Sequence, residues 1–194
     1  DIGSLVNGTR YSFTVQAVDT SGNSSAGVSI AAVAGGYSST ASFPNPESQI
    51  ITSSDGTNGD RFGQSVALSQ DYTIVGAYRK NTFEGAAYIY ERGGAGNWKL
   101  VPSGLSATPL FGYAVAVSGS HALVGAYVDN NYTGVAVLYA YDGASWQEQS
   151  KLYAASSVAD NDEFGFSVDI SGNYAVVGAP GHVSTGSAFL FEHD

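Results

Sequence analysis

Residues 62–78 read FGQSVALSQDYTIVGAY, and the same design returns at 111–127 as FGYAVAVSGSHALVGAY and at 164–180 as FGFSVDISGNYAVVGAP. A Phe-Gly pair opens each stretch: Phe62-Gly63, Phe111-Gly112 and Phe164-Gly165. A Gly-Ala pair closes it: Gly76-Ala77, Gly125-Ala126 and Gly178-Ala179. The offset from opening Phe to closing Gly is the same in every copy (62 to 76, 111 to 125, 164 to 178), whereas the spacing between copies differs. A rigid interior with variable connections marks a repeated structural unit.

Working outward, residues 65–68 and their counterparts predict a first strand. A tight turn follows at Ser69-Gln70-Asp71, Ser118-Gly119-Ser120 and Ser171-Gly172-Asn173, of the kind that closes a hairpin. Second strands are expected at 72–77, 122–126 and 174–179, and third strands at 86–90, 135–139 and 187–191. The fourth carries Trp98-Lys99-Leu100 or runs from Trp146 to Leu152, and 49–51 resembles the end of such a strand ahead of the first Phe-Gly. Each unit is thus four short antiparallel strands, entered through its outer strand. In the first strands Val66/Leu68, Val115/Val117 and Val168/Ile170 alternate with Ser65/Ala67, Ala114/Ala116 and Ser167/Asp169. A strand with one wet face alternates more sharply. Small residues on the second face predict sheets stacked closely on one another, as propeller blades are.

These units resemble FG-GAP repeats, the blades of integrin-α-type β-propellers. The Phe-Gly pairs, the Gly-Ala pairs (completed by Pro180 in the third copy) and the aromatic third strands carry the likeness, over residues 47–194. The resemblance implies an all-β fold, with Phe and Gly setting packing and close backbone approach. It also implies a calcium loop of the D-x-D-x-D-G kind between first and second strands. Calcium takes six to eight oxygens, and only Asp71, Ser120 and Asn173 stand there. The family's calcium sites are therefore not carried over, and the short-turn bacterial variant is the better match. No cofactor is expected.

Composition bounds the function. The chain has 194 residues, with Lys+Arg 7 against Asp+Glu 17 and a net charge of −10. That balance argues against tracking phosphate backbones or docking on anionic lipid. Cysteine and methionine are both absent, so disulfides and thiol nucleophiles are excluded, and the chain is not expected to start at its own initiator. No apolar run reaches the roughly 18 residues of a membrane helix. The expectation is no nucleic acid and no membrane insertion.

Candidate sites are few. Asp55, Asn58 and Asp60 precede the first Phe-Gly, and Asp160, Asn161, Asp162 and Glu163 precede the third. These are solvated acidic loops or, on the functional reading, a weak calcium site. Asp129, Asn130 and Asn131 form a further cluster. Tyr78, Tyr127 and Tyr132 follow second strands and are candidates for a glycan- or protein-contact surface, because recognition often sits on loops of a rigid β scaffold. The other aromatics read as strand packing. His121, His182 and His193 show no metal-ligand spacing and are expected at the surface. Asp169 stands mid-strand where the other copies have alanine; a general acid or base would need a second positioned carboxylate, and none can be placed. Catalysis is not expected. Asn7, Asn23 and Asn131 head N-x-[ST] sequons.

Ahead of the repeats, Tyr11, Phe13, Val15 and Ala17 alternate with Ser12, Thr14 and Gln16, a half-buried strand pattern. With a turn and a second strand at 28–33, residues 1–34 resemble the last two strands of a fibronectin type III sandwich. Residues 35–46 read as a Gly/Ser/Pro linker. A lone hairpin is marginal in water, and three blades leave apolar flanks. The chain is therefore expected to be an extracellular or surface protein whose partners are copies of itself or other parts of a longer chain. Such copies are expected to assemble through blade-face contacts and by adding the Tyr11–Ala17 strand to a neighbouring sheet, as the subunits of a surface fibre. The alternatives are an adhesion or glycan-binding module, or an accessory region of a secreted hydrolase.

Overall fold

A computed structural model describes residues 10–15, 28–33, 50–94, 96–101, 104–105, 109–154 and 159–192. It divides into two compact units, Asp1–Ile50 and Ile51–Asp194. In the first, β1 (Arg10–Val15) pairs antiparallel with β2 (Val28–Val33), Arg10 opposite Val33 and Val15 opposite Val28. Ala17 of the expected strand, the turn and the linker lie outside the described residues.

The second unit is three antiparallel sheets, each a meander in chain order. The first holds β3 (Ser65–Leu68), β4 (Tyr72–Gly76), β5 (Ala87–Glu91) and β6 (Asn97–Leu100). The second holds β7 (Ala114–Ser118), β8 (His121–Ala126), β9 (Val135–Tyr141) and β10 (Trp146–Leu152). The third holds β11 (Ser167–Ser171), β12 (Tyr174–Ala179) and β13 (Ser187–Glu192). Four strands were expected in each; the third sheet has three among the described residues. The reason lies in the connectivity. The outer strand of each complete sheet is the segment that enters the next repeat: β6 leads to Phe111 and β10 to Phe164. Ile50 and Ile51, expected at the end of an outer strand, belong to no strand, because a strand exists only beside a neighbour to bond to.

The sheets stack face to face. Ile74, Ile89 and Leu100 of the first sheet pack with Val115, Val117, Val124, Val137 and Trp146 of the second. Ala116, Leu123, Ala136 and Leu138, on the second sheet's other face, pack with Ile170, Val177, Phe189 and Phe191 of the third. The opening Phe of a repeat lies in the junction with the repeat before it: Phe111 and Phe164 are fully buried. Each such side chain contributes about 1.5–3 kcal/mol through burial.

The repeated glycines sit where backbones of adjacent repeats touch. A Cβ on Gly76 would lie 2.0 Å from the Gly112 carbonyl oxygen, and one on Gly125 2.0 Å from that of Gly165. After each second strand the chain makes a left-handed turn, with φ of 52°, 60° and 74° at Asn81, Thr82 and Phe83 and of 50°, 57° and 61° at Asn130, Asn131 and Tyr132. L-residues pay roughly 1–2 kcal/mol each for that hand. The turn aims carbonyls at the next repeat in return. Leu110 N–H donates to Phe83 O (3.1 Å) and Phe111 N–H to Glu84 O (3.2 Å); Glu163 and Phe164 N–H donate likewise to Tyr132 O (2.6 Å) and Thr133 O (3.0 Å).

Candidate functional site

Three features of the second unit bear on function. The first is the acidic loop ahead of Phe62. Asp60 is buried, and its carboxylate accepts from Thr57 N–H (2.7 Å), Thr57 Oγ1 (2.8 Å) and Lys80 Nζ (3.0 Å). Lys80 is itself buried and also donates to the Asp55 carbonyl. Asp55 accepts from Lys99 Nζ (2.6 Å) and Tyr88 OH (2.7 Å). The Lys99 hydrogen bond, then that of Tyr88, holds its carboxyl down at about 2. Burial pushes Asp60 up, but the hydrogen bonds from Thr57 and Lys80 outweigh it and leave the group below its ordinary value. Burial, then the Asp55 hydrogen bond, pushes the Tyr88 hydroxyl up.

The ammonium of Lys80 thus occupies the centre that a cation would need. In the third repeat Asp162 is buried and accepts the Ala159 N–H at 2.9 Å, the same span-of-three turn that Asp60 makes with Thr57. Asn58 and Asp160 are exposed. Among the described residues no three acids or histidines gather as metal ligands. Asp60 and Asp162 each lock the turn before a Phe-Gly pair.

The second feature is an aromatic cluster on the loops after the second strands. Tyr78 meets Tyr113 (ring centroids 5.5 Å), Tyr113 meets Tyr127 (4.5 Å) and Phe166 (5.2 Å), and Tyr127 meets Tyr132 (6.2 Å). The Arg79 guanidinium lies over Tyr78 (5.5 Å) and Phe83 (5.2 Å). Tyr78, Tyr127 and Tyr132 were singled out from sequence and stand in one cluster. Tyr113, Phe166, Phe83 and Arg79 were not. The signal for two of them was present: Tyr113 and Phe166 directly follow a Phe-Gly pair, where the first repeat has Gln64. Phe83, Tyr132 and Phe166 keep exposed ring area. Burial raises the Tyr127 hydroxyl above its usual value.

The third feature is the pair of outer sheet faces. On the first sheet Val66 is 65% and Leu68 73% exposed; on the third, Leu190 is 71% exposed and Val176 and Tyr174 are also open. Asp169 lies on the latter face, exposed, its carboxylate accepting its neighbour Ile170 N–H at 2.9 Å. Val66 and Leu68 are the counterparts of Val115 and Val117, and Val176 and Leu190 those of Leu123 and Leu138. All four counterparts are buried between sheets.

A family model described as FG-GAP repeat matches residues 46–90, 97–141 and 146–191. The chain belongs to the FG-GAP repeat family. The three matches cover most of the chain, and the second and third begin at β6 and β10, the outer strands that enter those repeats. FG-GAP repeats are structural and binding modules, typical of extracellular or surface proteins. No curated protein matches the chain. Among the described residues no helix is long and apolar enough to cross a membrane.

The remaining expectations fall as follows. Asn131 is exposed within a left-handed turn; Asn7, Asn23 and His193 lie outside the described residues. His182, expected at the surface, is buried, with Nδ1 2.8 Å from Ser187 Oγ and its ring against Phe189 (5.2 Å). The turn after the third Gly-Ala pair folds it inward. His121 opens β8 and is half-buried. Side chains of Tyr11, Phe13 and Val15 lie outside the described residues, although their backbones form β1.

Proposed function

We propose that this chain is a non-enzymatic extracellular structural protein that assembles through the outer faces and open edges of its sheets, as a surface fibre or a comparable array. One observation carries the reading: Val66, Leu68 and Leu190 are largely exposed, although their counterparts in adjoining repeats are buried. Exposed apolar sheet faces beside unpaired edges are association surfaces. A contact joining two different faces of one molecule propagates into a filament unless a rotation closes it. Light scattering across a concentration series, followed by negative-stain electron microscopy, tests the reading. Ordered, concentration-dependent filaments are the expected result, and a single chain at every concentration refutes it.

A second reading rests on the aromatic cluster. Exposed rings of Phe83, Tyr132 and Phe166 beside Asn81, Asn130 and Asn131 offer stacking faces and amide hydrogen bonds, as a glycan-binding adhesion surface does. Titration with soluble polysaccharides distinguishes it: binding that Phe166→Ala weakens at least tenfold supports adhesion, and heat-silent titrations do not.

A further inference from the structure

Neighbouring repeats meet through one joint, made twice with the same parts. The left-handed turn of one repeat offers two carbonyls, Phe83 and Glu84 or Tyr132 and Thr133, to the N–H groups of the residue before and the residue at the next opening Phe. A glycine bridges in parallel to that Phe: Gly85 to Phe111, Gly134 to Phe164. The closing Gly lies against the next opening Gly. In the first joint alone Ser65 Oγ adds a hydrogen bond to the Gly112 carbonyl at 2.8 Å; the second repeat has Ala114 at that place. The segment that enters the next repeat then completes the earlier sheet as its outer strand.

Every part has an unused counterpart on the outer repeats. Ser184 and Thr185 hold the places of Phe83 and Glu84, whose carbonyls accept in the first joint. Among the described residues neither the Ser184 nor the Thr185 carbonyl accepts a backbone hydrogen bond, and neither Arg61 nor Phe62 N–H donates one. Gly186 keeps the positive φ (81°) of Gly85 and Gly134. A Cβ on Gly178 would meet only Ser167, whereas those on Gly76 and Gly125 meet the next repeat; around Gly63 nothing lies within 4 Å. Ser167 stands where Ser65 stands. The outer edge of β13 has no strand beside it among the described residues.

A void marks the same vacancy from within. Between the first two sheets Trp146 of β10 packs on Tyr72 (5.2 Å) and Tyr141 (5.6 Å). The corresponding place between the second and third sheets is an apolar cavity of about 150 Å³, lined by His121, Leu138, Leu152 and Phe191 among others. His121 is the counterpart of Tyr72. At the first junction the outer strand β10 supplies Trp146 to this place; at the second, no strand beyond β13 supplies a side chain among the described residues.

We infer that a second copy of this chain docks head-to-tail on the third repeat, its Phe62-Gly63 seated on Gly186 and Gly178 and its entering segment at Ile50 laid along β13. The inference rests on the assembly reading above and adds its register. Ile50, 73% exposed, lies as far before Phe62 as Leu152 lies before Phe164. Strand neighbours alternate faces, so Ile50 and Ile51 give each side of the new strand one apolar side chain. Val66 and Leu68 then cover Val176 and Leu190, as Val115 and Val117 cover the first sheet. The segment at Ile50 is a better donor than β1 because it enters its repeat as β6 and β10 enter theirs.

The test separates the joint from assembly as such. Wild-type chain is first followed by sedimentation velocity; if it stays single, the assembly reading fails before any variant is made. Leu68→Arg blocks one side of the joint and Leu190→Arg the other, and both positions are exposed enough to leave the fold intact, checked by near-ultraviolet circular dichroism. Each variant alone is expected to remain a single chain, and an equal mixture to stop at twice the 20.0 kDa chain mass. Ile50→Lys is expected to weaken wild-type assembly at least tenfold, and Phe13→Lys to leave it unchanged. Assembly by either arginine variant alone, a mixture that stays single, or the reverse order of the two lysine variants overturns the inference. Val66→Lys with Val176→Lys repeats the mixing test should either arginine variant lose its aromatic dichroism.

Discussion

Ala116 and Asp169 hold the same place in neighbouring repeats, and their surroundings could hardly differ more. Ala116 is buried against the third sheet, while Asp169 looks out from that sheet's exposed face. The same contrast runs through Gly125 and Gly178, and through Leu138 and Leu190. One motif therefore does two things. Between repeats it is half of a finished contact; on an outer repeat it is a half without its mate. What the motif encodes is not a sheet but a joint, and a joint can be read only by looking at two repeats together.

The sharpest way to break this comparison is to remove the opening aromatic. Phe164→Ala, in the closed joint, is expected to cost about 3–5 kcal/mol, as large-to-small core changes do. Phe62→Ala, on the outer repeat, should cost less than half of that in urea unfolding of the single chain. Equal losses would show that the joint contributes nothing beyond each repeat's own packing. The closing glycine gives the next contrast. Gly125→Ala forces a methyl onto the Gly165 carbonyl and should cost about 1–3 kcal/mol. Gly178→Ala meets only the Ser167 side chain and should fall within about 1 kcal/mol of wild type.

Acid titration probes the lock before Phe62. Asp55 is held at about 2 against an ordinary 3.8, so its stabilising effect is fully present above pH 4. It disappears as pH falls through the interval from 3.8 towards 2. The melting temperature of wild type should fall across that interval more than that of Asp55→Asn; parallel curves would detach the Lys99 and Tyr88 contacts from stability. Smallest of all, Asp169→Ala should change single-chain stability by no more than about 0.5 kcal/mol. It would nevertheless tighten head-to-tail association, since it restores the alanine that the two closed joints use. A weaker association would mean that the carboxylate has a partner across the joint.

The sheets were legible because strand periodicity and the fixed Phe-to-Gly offset are local. Residues 65–68, 174–179 and 146–152 were placed to the residue, and the hairpin turns followed from Gly119 and Gly172. The left-handed turns were not seen. Asn81, Asn130 and Asn131 tolerate that hand, yet Phe83 and Tyr132 beside them argue against it, and only the carbonyl contacts with the next repeat explain them. The Asp60–Lys80 pair was missed for a similar reason. The acids invited a metal reading, and the lysine that answers them lies beyond two strands of intervening chain. Of the aromatic cluster, the loop tyrosines were found and Tyr113 and Phe166 were not, since three loops had to be brought to one place before they became neighbours.

The borrowed outer strand has a mechanical consequence. Because β6 and β10 each belong to one sheet by hydrogen bonding and to the next repeat by covalent chain, no sheet can be peeled away without dragging on its neighbour. Tension along the polypeptide passes through the rungs of each sheet before it reaches the next repeat. Such a chain should yield under load as a linked whole rather than blade by blade, like a laminate whose plies are stitched through.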